Sequence, residues 1–466
     1  MNADTRRQIR ENAQYLRSVR PLDPEEIHEY VEGQPHPAVV RRVLREEAFD
    51  LAIVEQGDGT FVPAPEEPLS VRFHGVESFP TPYARAVEDL LVEEFGPNWH
   101  RGDSGDRLRE RIRDIKERYL QGASVEYDRL TALGYAIYHL PDYYATAQYL
   151  LADLARDGLL PSRLRVLDVG AGVGGPALGL LDLLPEDGLL DYHAVEPSAA
   201  ADVLAHLLET APPHVGTTIH RERAEVFEAE EPFDLILFGN VLSELDDPAA
   251  TVRRYLDFLA EDGTVLAVAP ADRNTAIDLR TTERAVADDG PATVYAPTVR
   301  LWPHQRPGGE CWSFDRKSDI AVPDIQRRLD DAGGGTGEFV NTDVQYAYSV
   351  LRTDGQTRID ISPDRGVHAP MADAETYVTD RVNLLAIKLS PDLSEGEGNP
   401  LFLIGDGSEA TDHFAVRTDA SMLNADLVEA DYGDLLSIQN GLVLWNDDEA
   451  AYNVVVDGET VVDRAR

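Results

Sequence analysis

Val166-Leu167-Asp168-Val169-Gly170-Ala171-Gly172-Val173-Gly174-Gly175 is the stretch on which the fold turns. Residues 165–169 read as a buried strand, and 175–184 as the helix that follows it. Between them the glycines let the backbone turn tightly and approach a ligand closely, while the helix N-terminus offers free N–H groups. The string also fits G-x-G-x-x-G, the dinucleotide fingerprint, and Glu196 stands at a suitable distance for a ribose contact. Asp168, two residues before the first glycine, separates the readings. A carboxylate there would repel a pyrophosphate but suits the ammonium group of a methionine moiety. The loop therefore reads as a site for S-adenosyl-L-methionine, with a dinucleotide site or a plain structural turn as the alternatives.

Outward from this loop the pattern alternates. Strands are expected at 192–196, 217–221, 233–239 and 264–269, with helices at 199–208 and 248–259. A glycine-rich loop, 331–338, leads to a strand at 344–352, placed at the sheet edge. Such alternation implies parallel βαβ units, an α/β fold of the doubly wound, Rossmann-like, class I methyltransferase type. The cofactor set is then Asp168, Gly170, Ala171, Gly172, Gly174, Glu196 and Asn240. Glu196, at the end of the second strand, is expected to accept from both ribose hydroxyls. Some member of 221–225 is expected near the adenine ring. Asn240, Ser243 and Glu244, after the fourth strand, are candidates to face the transferred methyl group; ordinary loop and helix-cap roles are the alternative.

The flanks differ in character. Residues 1–72 read as three helices and a hairpin around Gly57-Asp58-Gly59, a winged-helix-like module. Its Arg41, Arg42 and Arg45 are either contacts for RNA or partners of Glu46, Glu47 and neighbouring acids. Residues 73–160 are helical by pattern, a cap before the domain at 161–352. Residues 353–380 read as a linker, rich in Asp, Pro and Gly up to 376. From 381 to 466 strand-like runs separated by turns, with no helix evident, suggest a five-stranded barrel of OB type.

Eighty-five acidic residues face 42 basic ones, a formal net charge of -43, and only Lys116, Lys317 and Lys388 are lysines. With 43% apolar residues the chain is not a disordered acidic tail. The acidity reads as halophilic adaptation, in which surface carboxylates hold water and salt screens their repulsion. No apolar run approaches the ~20 residues of a membrane span, and the polar N-terminus does not look like a signal peptide. A soluble, cytoplasmic protein with no membrane partner is expected; the oligomeric state is not legible. The single cysteine, Cys311, excludes an internal disulfide and any multi-cysteine metal site.

A second constellation is Leu301-Trp302-Pro303-His304-Gln305-Arg306-Pro307-Gly308-Gly309-Glu310-Cys311-Trp312-Ser313-Phe314. One Cys and one His are too few for a structural metal, so the expected metal set is none and packing should hold the loop. With the Tyr-rich helices (127–151), 166–175 and 233–245, it resembles the methyltransferase-like proteins of the mitochondrial small ribosomal subunit and their bacterial and archaeal relatives. The resemblance implies association with the small ribosomal subunit or its RNA, in assembly or translation, with rRNA methylation as the activity. The family's Cys-Pro-His…Cys…Trp-Cys-His-Phe pattern implies an iron–sulfur cluster. Here Trp302 replaces its first cysteine and only Cys311 is left, so no iron–sulfur cluster is expected. A cofactor-binding but inactive assembly factor is the alternative function, and a winged-helix DNA-binding regulator the third.

Overall fold

In the computed structural model, which describes residues 3–121, 125–212, 214–396 and 398–465, the chain divides into two compact units. One is built from residues up to Leu237 together with Ser318–Val344, the other from Phe238–Lys317 and from Gln345 onward.

The first unit opens with α1 (Ala3–Leu16), which buries Ile9 and Ala13. Asp23 accepts from the Glu25 N–H and Pro24 occupies the first turn of α2 (Pro24–Ile27), so cap and proline start the helix together. A proline also opens α3 (Pro37–Glu46), which turns Val40, Val43 and Leu44 inward. A short α4 (Ala48–Leu51) ends at Ala52, whose φ is +47°. β1 (Ile53–Glu55) then pairs antiparallel with β2 (Phe61–Pro63). Helices followed by a hairpin match the winged-helix reading, except that Leu51 ends a helix and does not open the strand.

Four more helices follow: α5 (Thr81–Phe95), α6 (Gly102–Leu120), α7 (Arg129–Tyr138) and α8 (Leu140–Arg156). Asp128 caps α7, accepting from the Thr131 N–H at 2.7 Å. The α/β part then runs β3 (Arg163–Val169), α9 (Gly175–Leu183), β4 (Leu189–Val195), α10 (Ala200–Leu208), β5 (Gly216–His220) and β6 (Phe233–Gly239). The strand order in this unit is β5-β4-β3-β6, with β3, β4 and β5 parallel. The chain starts in the middle, walks outward and crosses back, leaving a switch point at the carboxyl end of β3, where ligands bind in such sheets. Leu164, Val166, Leu167 and Val169 of β3 are all buried, as in a strand covered on both faces. Helix α9 lies close against α8: a Cβ on Gly179 would sit 2.9 Å from both Ala147 Cβ and the Tyr144 carbonyl oxygen.

The second unit takes up the chain within β6. It contains α11 (Pro248–Leu256), β7 (Leu259–Pro270), α12 (Arg273–Ala287), β8 (Thr293–Ala296) and β9 (Asp315–Arg316). After α13 (Asp324–Ala332), which belongs to the first unit, β10 (Gln345–Arg352) completes the set. β10 is not the edge strand expected from the sequence. It pairs antiparallel with β7 on one side and β8 on the other; four residues of β8 are too few to stand out as a strand. Helix α13 escapes notice for another reason. Its buried face includes Gln326 and Asp330 beside Ile325 and Leu329, so the apolar period is broken by polar groups that find partners inside. Gln326 donates to the Ile137 carbonyl at 3.0 Å, and Asp330 accepts from the Gly337 and Phe339 N–H groups.

The C-terminal strands are β11 (Arg381–Lys388), β12 (Leu401–Gly405), β13 (His413–Arg417), β14 (Leu435–Asn446), β15 (Ala451–Val456) and β16 (Val461–Arg464). Pairings β11–β12–β13–β15–β14–β11 close a five-stranded barrel, with β13 and β15 parallel, and β16 adds to β14. The barrel matches the sequence reading; the expectation of no helix does not hold, because α14 (Asp426–Glu429) precedes β14. Nor is 353–380 a free linker. Ala369, Met371 and Ala374 are part of the barrel core, and Ile359 and Ile361 pack against a second core containing Trp302, Cys311 and Leu403. Among the described residues no helix is long and apolar enough to cross a membrane.

Gly179→Val should force α8 and α9 apart and lower stability by about 1–3 kcal/mol, the usual cost of overpacking. Thermal melts of the two proteins check this; an unchanged midpoint would mean that the contact is soft.

Candidate functional site

β3 ends at Val169 and the backbone reverses at once. Gly170, Gly172 and Gly174 have φ of +67°, +54° and +94°, the left-handed region that side chains resist. The Gly170 and Ala171 N–H groups donate to the Val195 carbonyl at 2.8 and 3.4 Å, tying the loop to the end of β4. Packing closes two of its glycines: a Cβ on Gly174 would meet Leu204 at 2.5 Å, and one on Gly175 would meet Tyr143 Cβ at 2.6 Å. Gly172 is different. Nothing lies nearer to its Cβ position than the Gly170 carbonyl oxygen, 3.9 Å away, so it fronts a cradle that a side chain would fill.

Glu196, 7% exposed, holds that cradle. One carboxylate oxygen accepts from the Gly172 N–H at 2.8 Å and the other from the Ser198 N–H at 2.9 Å. Each oxygen keeps a lone pair for a ribose hydroxyl. Asp168 is wholly buried. Its Oδ2 accepts from the Tyr192 hydroxyl at 2.7 Å, and its Oδ1 has no partner. Burial drives the Asp168 carboxyl up to about 7; the Tyr192 hydrogen bond opposes the rise and the charge of Glu196 adds to it. A buried, half-satisfied carboxylate is costly until a cationic donor reaches it. The ammonium group of a methionine moiety is such a donor, and the residues present fit it.

The sequence-predicted set is thus split. Asp168, Gly170, Ala171, Gly172, Gly174 and Glu196 come together in the first unit, while Asn240, Ser243 and Glu244 fall in the second. There Asn240 adopts φ +59° and donates its N–H to the Val268 carbonyl at 2.9 Å. With Ser243 it lines a cavity of about 270 Å³ that also takes Thr275, Asp278 and Thr281 from α12. Those three were missed because α12 itself was not read from the sequence. Glu244 is exposed and is not among the lining residues. In 221–225, Arg221 pairs with Asp202 at 2.6 Å and Arg223 with Glu225 at 2.9 Å. The arginines of the winged module form ion pairs within it: Arg41 and Arg45 with Glu55, and Arg42 with Glu46.

The tryptophan loop is held by hydrogen bonds and packing. Trp302 Nε1 donates at 2.7 Å to Asp406, a wholly buried carboxylate that also accepts from the Met371 and Ser408 N–H groups. Trp312 Nε1 donates to the Ala271 carbonyl at 2.9 Å, and its ring packs on Phe314. Cys311 is buried, which pushes its thiol up to about 12, and its N–H donates to Asp412. Among the described residues no group of three or more His, Cys, Asp or Glu side chains is placed to hold a metal.

Comparison with known proteins bears on the same segments. Residues 137–322 match the methyltransferase-domain family. This part of the chain has the methyltransferase fold, and its cofactor is S-adenosylmethionine. Residues 6–57 and 372–465 match the N-terminal and C-terminal domains of a family described as a domain of unknown function (DUF8157). No curated protein matches. Solved structures similar to part of the chain include the sugar N-methyltransferase KedS8 from Streptoalloteichus (20% identity, 27% of this chain and 47% of that one, TM-score 0.21). Another is CalS10, an amino pentose methyltransferase from Micromonospora echinaspora, solved with its cofactor bound (17%, 33% and 55%, TM-score 0.22). A third is an rRNA methylase from Streptococcus thermophilus (13%, 45% and 94%, TM-score 0.27). The chain spans about half the length of the first of these structures.

Glu196→Gln should weaken S-adenosylmethionine binding by about 1–3 kcal/mol, because the amide cannot accept on both sides. Calorimetry checks this, and unchanged affinity would remove Glu196 from the site. Asp168 gives a pH test. Its folded value of about 7 lies above its ordinary 3.8, so its stabilising share is full below about pH 4 and is lost as pH rises through 7. Without cofactor, wild type should therefore lose melting temperature relative to Asp168→Asn between pH 5 and 8. Parallel curves would contradict the burial argument.

Proposed function

We propose that this protein is an S-adenosylmethionine-dependent methyltransferase-like factor that acts on, or helps to assemble, the small ribosomal subunit. The observation that carries the cofactor half is the buried Asp168 carboxylate with its unpartnered oxygen, beside a glycine cradle held by Glu196. The ribosomal half rests on the resemblance of residues 127–151, 166–175, 233–245 and the Trp302-Pro303-His304 loop to the small-subunit family. The five-stranded barrel supports it, since OB-type barrels are a recurrent scaffold for oligonucleotides.

In this reading Asp168 holds the cofactor's ammonium and Glu196 its ribose, and both loops are fixed before the ligand arrives. When bound, the cofactor supplies a methyl group on a cationic sulfur. Asn240 and Ser243 line the cavity of about 270 Å³ in the second unit and can hydrogen-bond a polar group there. Asn240, held at φ +59°, is a polar side chain kept in a strained backbone state, as residues at functional sites often are. The alternative, a factor that keeps the cofactor without transferring its methyl group, draws on one feature of that cavity. Of its lining residues only Asp278 is titratable, so the cavity itself offers no lysine or histidine base. The DNA-binding reading rests on the winged module alone, and the pairing of Arg41, Arg42 and Arg45 with glutamates of that module counts equally against them as contacts for DNA and for RNA.

Two measurements decide between these. The full chain should co-sediment with small-subunit particles and not with double-stranded DNA; the reverse would sink the ribosomal reading. If it transfers methyl groups, a deletion strain should lack at least one ribosomal RNA methylation that wild type restores and Asn240→Ala does not. An unchanged methylation map with intact co-sedimentation would select the non-transferring factor.

A further inference from the structure

The helical block of the first unit carries a cluster to which the reading above gives no chemical role. Tyr127 and Tyr135 have ring centroids 5.7 Å apart, Tyr135 and His139 4.8 Å, and Tyr135 and Tyr143 5.9 Å. His139 stacks on Tyr143 at 5.3 Å, and the Tyr119 hydroxyl lies 3.1 Å from that of Tyr127 and 3.4 Å from that of Tyr135. Tyr119, Tyr127 and Tyr143 are only half-buried.

The cluster is tied at both ends to the loops that bracket Asp168. The Tyr127 carbonyl accepts from the Ala199 N–H at 3.2 Å, three residues past Glu196. Tyr143 lies against Gly175, immediately after the glycine loop, so closely that a Cβ on that glycine would fall 2.6 Å from the tyrosine's own. The rings therefore run from one cofactor loop to the other.

Beside them lies a buried acid. Asp142 is 8% exposed; its Oδ2 is 3.8 Å from His139 Nδ1, and its Oδ1 has no hydrogen-bond partner. His139 Nε2 is likewise buried without a partner. Among the described residues no arginine or lysine forms an ion pair with Asp142. The nearby Lys116 lies over the Tyr138 ring and donates to the Glu338 carbonyl. Phenol faces are electron-rich and attract cations, most strongly where water is excluded. A buried carboxylate without a full counter-charge asks for the same thing.

We propose that this tyrosine–histidine–aspartate cluster recognises the positive charge of the sulfonium of S-adenosylmethionine, so that the protein holds the methyl-bearing cofactor more tightly than S-adenosylhomocysteine, whose sulfur is neutral. The inference rests on the cofactor reading above and adds the residues that read its charge. Affinity then falls when the methyl group has gone, and the spent cofactor is released.

Calorimetry of the full chain with each of the two ligands tests it. Wild type should prefer S-adenosylmethionine by about tenfold or more, within the range of a desolvated cation–ring contact. Asp142→Asn and Tyr143→Leu should each bring the ratio towards one, chiefly by weakening S-adenosylmethionine. Tyr143→Phe keeps the ring and should keep most of the preference, which separates charge recognition from a loss of packing; a melt of each variant checks that it folds. Equal affinities in wild type, or a ratio unmoved in both Asp142→Asn and Tyr143→Leu, would overturn the inference while leaving the cofactor site standing. Binding of neither ligand to wild type would overturn both.

Discussion

Gly172 can point its N–H into a tight, left-handed turn because a carboxylate waits for it. Glu196 takes that N–H with one oxygen and the Ser198 N–H with the other, and so joins the loop after β3 to the loop after β4. Backbone donors in loops must find partners somewhere, and here one side chain serves two of them. The Gly170 and Ala171 N–H groups, both on the Val195 carbonyl, complete the junction from the other side. The open space in front of Gly172 is thus shaped before any ligand enters. Ordering that would otherwise be charged against binding has already been met by folding.

A comparable economy of charge holds the second unit. Asp406 and Glu409 stand within one buried turn. Burial and the charge of Asp406 push Glu409 up to about 8, while the Gly407 N–H donates to it at 2.8 Å. The same turn gives Asp406 to the Trp302 indole. An indole N–H on a buried carboxylate, ring packing and backbone bonds are what fasten this loop, with Cys311 inert in the core beside it.

The parts of this architecture that were legible are those where one residue type permits one geometry. Asp168 before a glycine run, proline at the start of α2 and α3, and apolar strands such as 233–239 announce themselves. The β10 position was misread because its outer neighbour, β8, is only four residues long. α13 was missed because Gln326 and Asp330 are buried polar residues whose partners come from distant segments. For the same reason 353–380 looked like a linker, since its buried Ala369, Met371 and Ala374 are sparse among Asp, Pro and Gly. At the candidate site the glycine loop and Glu196 could be singled out as candidates, and the fold brings them together. The cavity residues Thr275, Asp278 and Thr281 could not, because they depend on α12 being there to carry them. The Asp142–His139 pair was hidden too, inside what reads as an ordinary helix junction.

The segment Ser318–Val344 returns to the first unit after the chain has already entered the second. It brings α13, which buries Leu329 and sets Gln326 against the Ile137 and Tyr138 carbonyls. A ribosome making this protein therefore releases the glycine loop and Glu196 long before the piece that completes their unit. Contacts that join residue 137 to residue 326 carry a large loop-closure cost and form late. Until then the growing chain exposes apolar surface that its own later residues will cover, the condition under which nascent proteins lean on chaperones. The same interleaving means that neither unit corresponds to a contiguous fragment. No single cut in the gene separates one unit whole from the other.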